Sequence, residues 1–150
     1  AAQALVDARR AVELAPGDGY ILNTLGVAQY RVGLYEEALA TLTRSDELNR
    51  RPDAPDNQAL DQQATSQATT APVIDTGMPG DVAFIAMSLH QLGRTEEARA
   101  ALDRLRNLMQ QKLWSEDEES QAFLREASSL IEGPSGQPAS GPATTQAGDR

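Results

Sequence analysis

The chain has 150 residues, 40% of them hydrophobic, and carries 13 basic and 22 acidic side chains for a net charge of −9. That charge repels a phosphate backbone and leaves no basic stripe for nucleic acid. The lack of cysteine and the single histidine, His90, exclude disulfides, thiolate chemistry and a multi-histidine metal site.

The start, AAQALVDARR, has neither a basic n-region nor an apolar h-region, and no apolar run approaches the roughly 20 residues a membrane span needs. It lacks Met and lies within a helical pattern, so the chain reads as a piece of a longer, cytoplasmic protein. Residues 1–15 are predicted to form a helix closed by Pro16 and Gly17, which cannot continue it. Asp18 then caps a helix over Gly19 to Val32, its carboxylate accepting orphan N–H groups. Gly33 ends that helix, and Leu34 to Asn49 form the next, with Glu36 and Glu37 in the first turn where the helix dipole favours anions.

Between Arg50 and Gly80 the helical period disappears into a stretch rich in Pro, Gln and Thr, read as a disordered insertion over residues 50–80. Asp81 is expected to cap a helix from Val82 to Leu92, Gly93 to turn the chain, and Thr95 to about Leu113 to form the following helix. Trp114 packs at the joint that follows. Ser115 and Glu118, spaced as a capping box, open a terminal helix stopped by Gly133 and Pro134. Its stripe of Phe123, Ala127, Leu130 and Ile131 suits a helix that covers an exposed core. Residues 133–150 read as a disordered tail.

Two stretches echo one another: YRVGLYEEALATL (30–42) and HQLGRTEEARAAL (90–102), a spacing of 60 residues between Gly33 and Gly93. A fainter copy lies upstream, where Ala4, Leu5 and Leu14 align with Ala38, Leu39 and Leu48 at a spacing of 34. The larger spacing exceeds the smaller by 26 residues, the size of an insertion between helix pairs, tolerable because loop-closure entropy grows only logarithmically with length.

A period of 34 with two helices per unit resembles the tetratricopeptide repeat (TPR). The motif W-x2-L-G-x2-Y is met by Leu22, Leu25, Gly26 and Gln29, and again by Val82, Ile85, Ala86 and Leu89. The motif A-x3-F is met by Ala38 and Leu42 and by Ala98 and Leu102, while the upstream half-repeat supplies Ala4, Ala8 and Pro16. The chain departs from the family in lacking the Trp and the Pro after the second and third helix pairs. The resemblance implies an all-α fold, an α-solenoid of antiparallel helix pairs with about six helices. Residues 1–49 would hold a half-repeat and a full repeat, and residues 81–132 a repeat with a capping helix.

The resemblance also implies a non-catalytic module, without cofactor or metal, whose concave face binds a peptide or partner protein. The lining positions would be Tyr20, Asn23, Val27, Tyr30 and Arg31 on one repeat and Ala83, Met87, His90 and Gln91 on the next. Val27, Ala83 and Met87 stand where a carboxylate-clamping member of the family would need polar groups, so the lining favours apolar anchors. More narrowly, the pairing of YILNTLGVAQYRVGLYEEAL with FIAMSLHQLGRTEEAR resembles the C-terminal repeat tail of some multidomain bacterial serine/threonine kinases. The kinase site itself would lie outside these residues.

Two other readings stand beside this one. The stripe of Leu5, Ala8, Val12 and Leu14 could pair the first half-repeat with another chain, a structural or self-association role. Asp75-Thr76-Gly77 resembles the loop of aspartic proteases, where two carboxylates share a proton, but it sits in the insertion without a strand pattern. Glu116 to Glu119 point around a helix instead of converging, as a cation site requires.

Overall fold

The turn at Gly33 is repeated at Gly93 in the two hydrogen bonds that close it. The Gly33 N–H donates to the Tyr30 carbonyl at 3.0 Å and the Leu34 N–H to that of Gln29 at 3.0 Å. Sixty residues on, Gly93 donates to His90 at 3.0 Å and Arg94 to Leu89 at 2.9 Å. Both glycines have positive φ, 85° and 76°, where an L side chain is strained, so glycine at each turn is a backbone requirement.

The computed structural model describes residues 2–50 and 75–133, and these are all-helical, with seven helices and no strand among them. They are α1 (Ala2–Leu14), α2 (Gly19–Arg31), α3 (Tyr35–Asn49), α4 (Pro79–Gln91), α5 (Thr95–Leu108), the single turn α6 (Lys112–Ser115) and α7 (Glu118–Glu132). Successive helices pack on one another from α1 to α5, and α7 lies on α4 and α5. In α2 and α3 the start of one meets the end of the other. A Cβ at Gly19 would lie 2.0 Å from Asn49 Oδ1, and one at Gly26 would lie 2.4 Å from Leu42 Cγ. Gly26 therefore lets the two backbones approach with Leu42 fully buried between them.

Helix α4 is apolar around most of its circumference and is buried on nearly every side, including Val82, Ala83, Phe84, Ala86 and Met87. A helix hydrophobic all round belongs inside a core, and α4 is the axis about which α2, α3, α5 and α7 assemble. Helix α5 instead buries one stripe of Ala98, Leu102, Leu105 and Leu108, and α7 buries Ala127 and Ile131 with Phe123, Leu124 and Leu130 half-covered. Trp114, in α6, packs against the same core.

Several expected boundaries move. Asp18 caps α2 as expected, its Oδ1 accepting from the N–H groups of Tyr20 at 2.9 Å and Ile21 at 3.2 Å. Asp81, however, is not a cap: α4 begins at Pro79, whose fixed φ and missing N–H suit a first helical position, and this places Asp81 inside the first turn. Helix α5 stops at Leu108, not near Leu113, and Ser115 ends α6 instead of opening a capping box. Asp117 caps α7, accepting from the Ser120 N–H at 2.7 Å. Residues 75–80, expected within the insertion, are docked onto the helices. The remainder of that insertion and the tail from Pro134 lie outside the described residues.

Ala38 and Ala98 occupy equivalent places in the two echoing segments and are both fully buried. Forcing a branched side chain into either site crowds its neighbours, so Ala38→Leu and Ala98→Leu are each expected to destabilise the fold by about 1–3 kcal/mol. Denaturant melts of the two variants check this, and unchanged midpoints would mean that the helices are not held in this register.

Candidate functional site

The nine residues expected to line a binding face fall into three environments. Tyr20 and Arg31 on α2 and Gln91 at the end of α4 are exposed, Asn23, Val27, Tyr30 and His90 are half-buried, and Ala83 and Met87 are fully buried. The expectation that Ala83 and Met87 line an open groove is therefore corrected. Both belong to the buried cluster that includes Ala127 and Ile131 of α7, the helix packed along α4.

Above these positions an aromatic run closes the surface. The Tyr30 ring meets Phe84 edge-on at 5.3 Å, Phe84 meets Phe123 of α7 at 5.3 Å, and Tyr35 lies 5.4 Å from Tyr30. The guanidinium of Arg31 sits 5.0 Å above the Phe84 ring and forms a two-pronged ion pair with Glu126, one prong at 2.8 Å. The pair ties α2 to α7 across α4. Burial raises the Tyr30 hydroxyl above its ordinary pKa, partly countered by a hydrogen bond with Gln91. His90 Nδ1 is buried without a hydrogen-bond partner among the described residues.

Two further clusters, which sequence reasoning did not join, tie the helices together. In the first, the fully buried Asp81 accepts from Asn23 Nδ2 of α2 at 2.8 Å and Asn49 Nδ2 of α3 at 2.9 Å, so one carboxylate joins three helices. Asn49 Nδ2 also lies 3.2 Å from Ser45 Oγ, and the Ser45 hydroxyl donates to the Gly19 carbonyl at 2.7 Å. Burial pushes the Asp81 carboxyl up to about 6, against the lowering effect of the hydrogen bonds from Asn23, Ser45 and Asn49, and the negative charge of Asp46 adds to the rise.

In the second cluster, Arg104 of α5 reaches both oxygens of Asp46 at 2.8 Å and both oxygens of Asp75, while Arg50 lies 3.6 Å from each of the two carboxylates. Burial alone would raise the Asp75 carboxyl, yet hydrogen bonds from Arg104 and the Gly77 N–H hold it below its ordinary value. The Asp75 carbonyl accepts from Gln111 Nε2 at 2.7 Å, and Thr76 Oγ1 donates to the Arg50 carbonyl at 3.3 Å. A protease dyad needs two carboxylates that share one proton; Asp46 and Asp75 instead share the Arg104 guanidinium. This Asp-Thr-Gly segment anchors the chain leading into α4.

An open depression of about 270 Å³ is lined by Gly33, Leu34, Tyr35, Glu36, Glu37 and Leu92, beside the first turn. The large hydrophobic side chains left exposed among the described residues are Val6, Leu14, Tyr20 and Leu113. Three of these four belong to α1 or to the start of α2, which places the uncovered apolar surface at the N-terminal end. No group of three or more potential metal-ligating side chains gathers among the described residues, and no helix there is long and apolar enough to cross a membrane. Comparison with protein-family models, with curated proteins and with solved structures returned no match.

Proposed function

We propose that the chain is a non-catalytic helical-repeat module of the TPR kind, an α-solenoid that binds a partner protein or peptide on α2, as part of a larger bacterial regulatory protein such as a serine/threonine kinase. The observation that carries this reading is the recurrence of one helix–turn–helix unit at residues 30–42 and 90–102, with the same turn bonds and the same buried alanine. Stacked units of this sort present one helix of each pair on a common surface, a general architecture for partner recognition.

The two ends differ in a way that narrows where the partner sits. When the caps Asp18 and Asp117 are superposed in register, Arg125 of α7 takes the position of Gly26, and it is exposed. A long cation there refuses a further helix, so α7 acts as a polar cap. At the other end, Ala4 takes the position of Ala38 yet is exposed, with Val6, Leu14 and Tyr20 uncovered nearby. The partner is accordingly assigned to the α1–α2 end, with Tyr20, Asn23, Val27 and Arg31 as contacts, and not to Ala83 or Met87. A self-association role for α1 uses the same end and is separated by sedimentation of the isolated chain.

The test is capture from the source cells by the 150-residue chain, read by quantitative mass spectrometry. Tyr20→Asp is expected to weaken capture by at least about tenfold, because a central aromatic anchor dominates such interfaces, and its melting midpoint is expected to stay unchanged. Arg125→Ala is expected to capture normally. Equal loss in both variants, or in neither, would remove the α2 assignment.

A further inference from the structure

We propose that Asp81 and Asn23 form a proton-dependent switch that reverses the hydrogen-bonding polarity Asn23 presents on the α2 face. The inference rests on the reading of that face as the partner surface, but its chemistry stands on the geometry beneath it. An ionised carboxylate can only accept, so Asn23 must turn its Nδ2 inward to Asp81 Oδ1, and its own Oδ1 is left as the outward, accepting end. Asn23 is half-buried, and no described protein group donates to that oxygen.

A proton added to Asp81 needs an acceptor, and the two carboxylate oxygens differ in what they can offer it. On the Oδ2 side, Asn49 serves Asp81 and Ser45 with the same Nδ2, and its Oδ1 packs directly against Gly19, where a Cβ would lie 2.0 Å away. Ser45 also neighbours this carboxyl, but its hydroxyl donates to the Gly19 carbonyl and its oxygen already accepts from Asn49 Nδ2, so it is the less available acceptor. That amide is wedged in place. On the Oδ1 side the hydrogen-bond partner is Asn23, at the edge of the core and free of the packing that holds Asn49. The proton therefore settles on Oδ1 and donates to Asn23 Oδ1, and the Asn23 amide turns its N–H groups toward solvent or ligand. The face changes from acceptor to donor without any helix moving.

The charged groups around this joint are Asp46 and Arg50 on α3, Arg104 on α5, Asp75 in the segment leading into α4, and Asp18 at the head of α2. Asp46 adds to the rise of the Asp81 carboxyl, and Asp46 and Asp75 are themselves held by the two arginines. From α7 the residue against the first turn of α4 is the uncharged Phe123. Burial places the Asp81 transition near pH 6. The folded form then holds a proton that the unfolded chain, with its ordinary value of 3.8, has lost, so this contribution to stability is full below 3.8 and lost as pH rises through about 6.

The experiment is NMR on the whole chain, following the Asp81 carboxyl carbon and the Asn23 side-chain amide from pH 4.5 to 7.5. Both are expected to titrate together near pH 6, with the Asn23 response absent in Asp81→Asn. Should that variant fail to fold, Asn23→Ala serves in its place: a carboxylate gains more from a donated N–H than a neutral carboxyl gains from an accepting amide, so losing Asn23 is expected to move the Asp81 midpoint upward. An Asn23 amide that stays constant while Asp81 titrates, an Asp81 midpoint near 3.8, or an unmoved midpoint in Asn23→Ala would each overturn the switch. The readout needs no partner, so it succeeds or fails independently of whether the α2 face binds one.

Discussion

Phe84→Ala is expected to lower the stability of the fold by about 3–5 kcal/mol, the range for deleting a buried aromatic ring from a packed core. Phe84 is fully buried in α4, and its ring meets both Tyr30 of α2 and Phe123 of α7 while supporting the Arg31 guanidinium on its face. Its loss removes the middle of the aromatic run. The effect should concentrate in α7, so amide protection measured by hydrogen exchange should fall there before it falls in α3. A variant with a wild-type denaturation midpoint would show that α4 is not the axis of the core.

Arg104→Met is expected to cost about 2–3 kcal/mol at neutral pH. Truncating one member of a buried ion pair costs more than this range, but the Arg104 side chain is 27% exposed and that of Asp75 26%, so water moderates the penalty. The variant leaves Asp46 and Asp75 facing one another with only the more distant Arg50 to balance them. Removing the cation raises the Asp75 carboxyl, which Arg104 helps to hold down, so the deficit should be greatest above its range and shrink as acid protonates it. Denaturant melts at pH 7 and pH 3.5 check the sign. A deficit that is constant with pH would assign the loss to packing of the arginine stem.

The helices with the clearest periodicity and turn residues could be read from the sequence almost to the residue. Gly33 and Gly93 mark real turns, Asp18 caps α2, and Ala38, Leu42, Ala98 and Leu102 are core positions because a local pattern decides them. The errors share a different cause. Asp81 before an apolar run looks like a cap, and only Asn23 and Asn49, distant in sequence, make it a buried acceptor; Pro79 was the overlooked local sign that the helix starts earlier. The segment 75–78 has the composition of a loop, and its docking depends on Arg104, a residue that reads as surface charge on α5.

The candidate site was less legible than the fold. Position along a first helix identifies residues on one face, but not which of them the next helix will cover. Met87 and Ala83 are covered because α7 follows α5 and packs along α4, and that depends on Phe123 and Ala127, some 36 to 44 residues later in the chain. Tyr20 and Arg31 remain exposed on α2, and Arg31 is held in place by Glu126 of α7.

The most direct measurement is site-specific photo-crosslinking in the source cells, with a photoreactive residue placed at Thr24, exposed on α2, and in a second sample at Arg125, exposed on α7. The partner-module reading predicts a discrete adduct from position 24, mapping to one segment of one protein, and background labelling from position 125. Labelling that is indiscriminate from both sites, or discrete only from position 125, would contradict it.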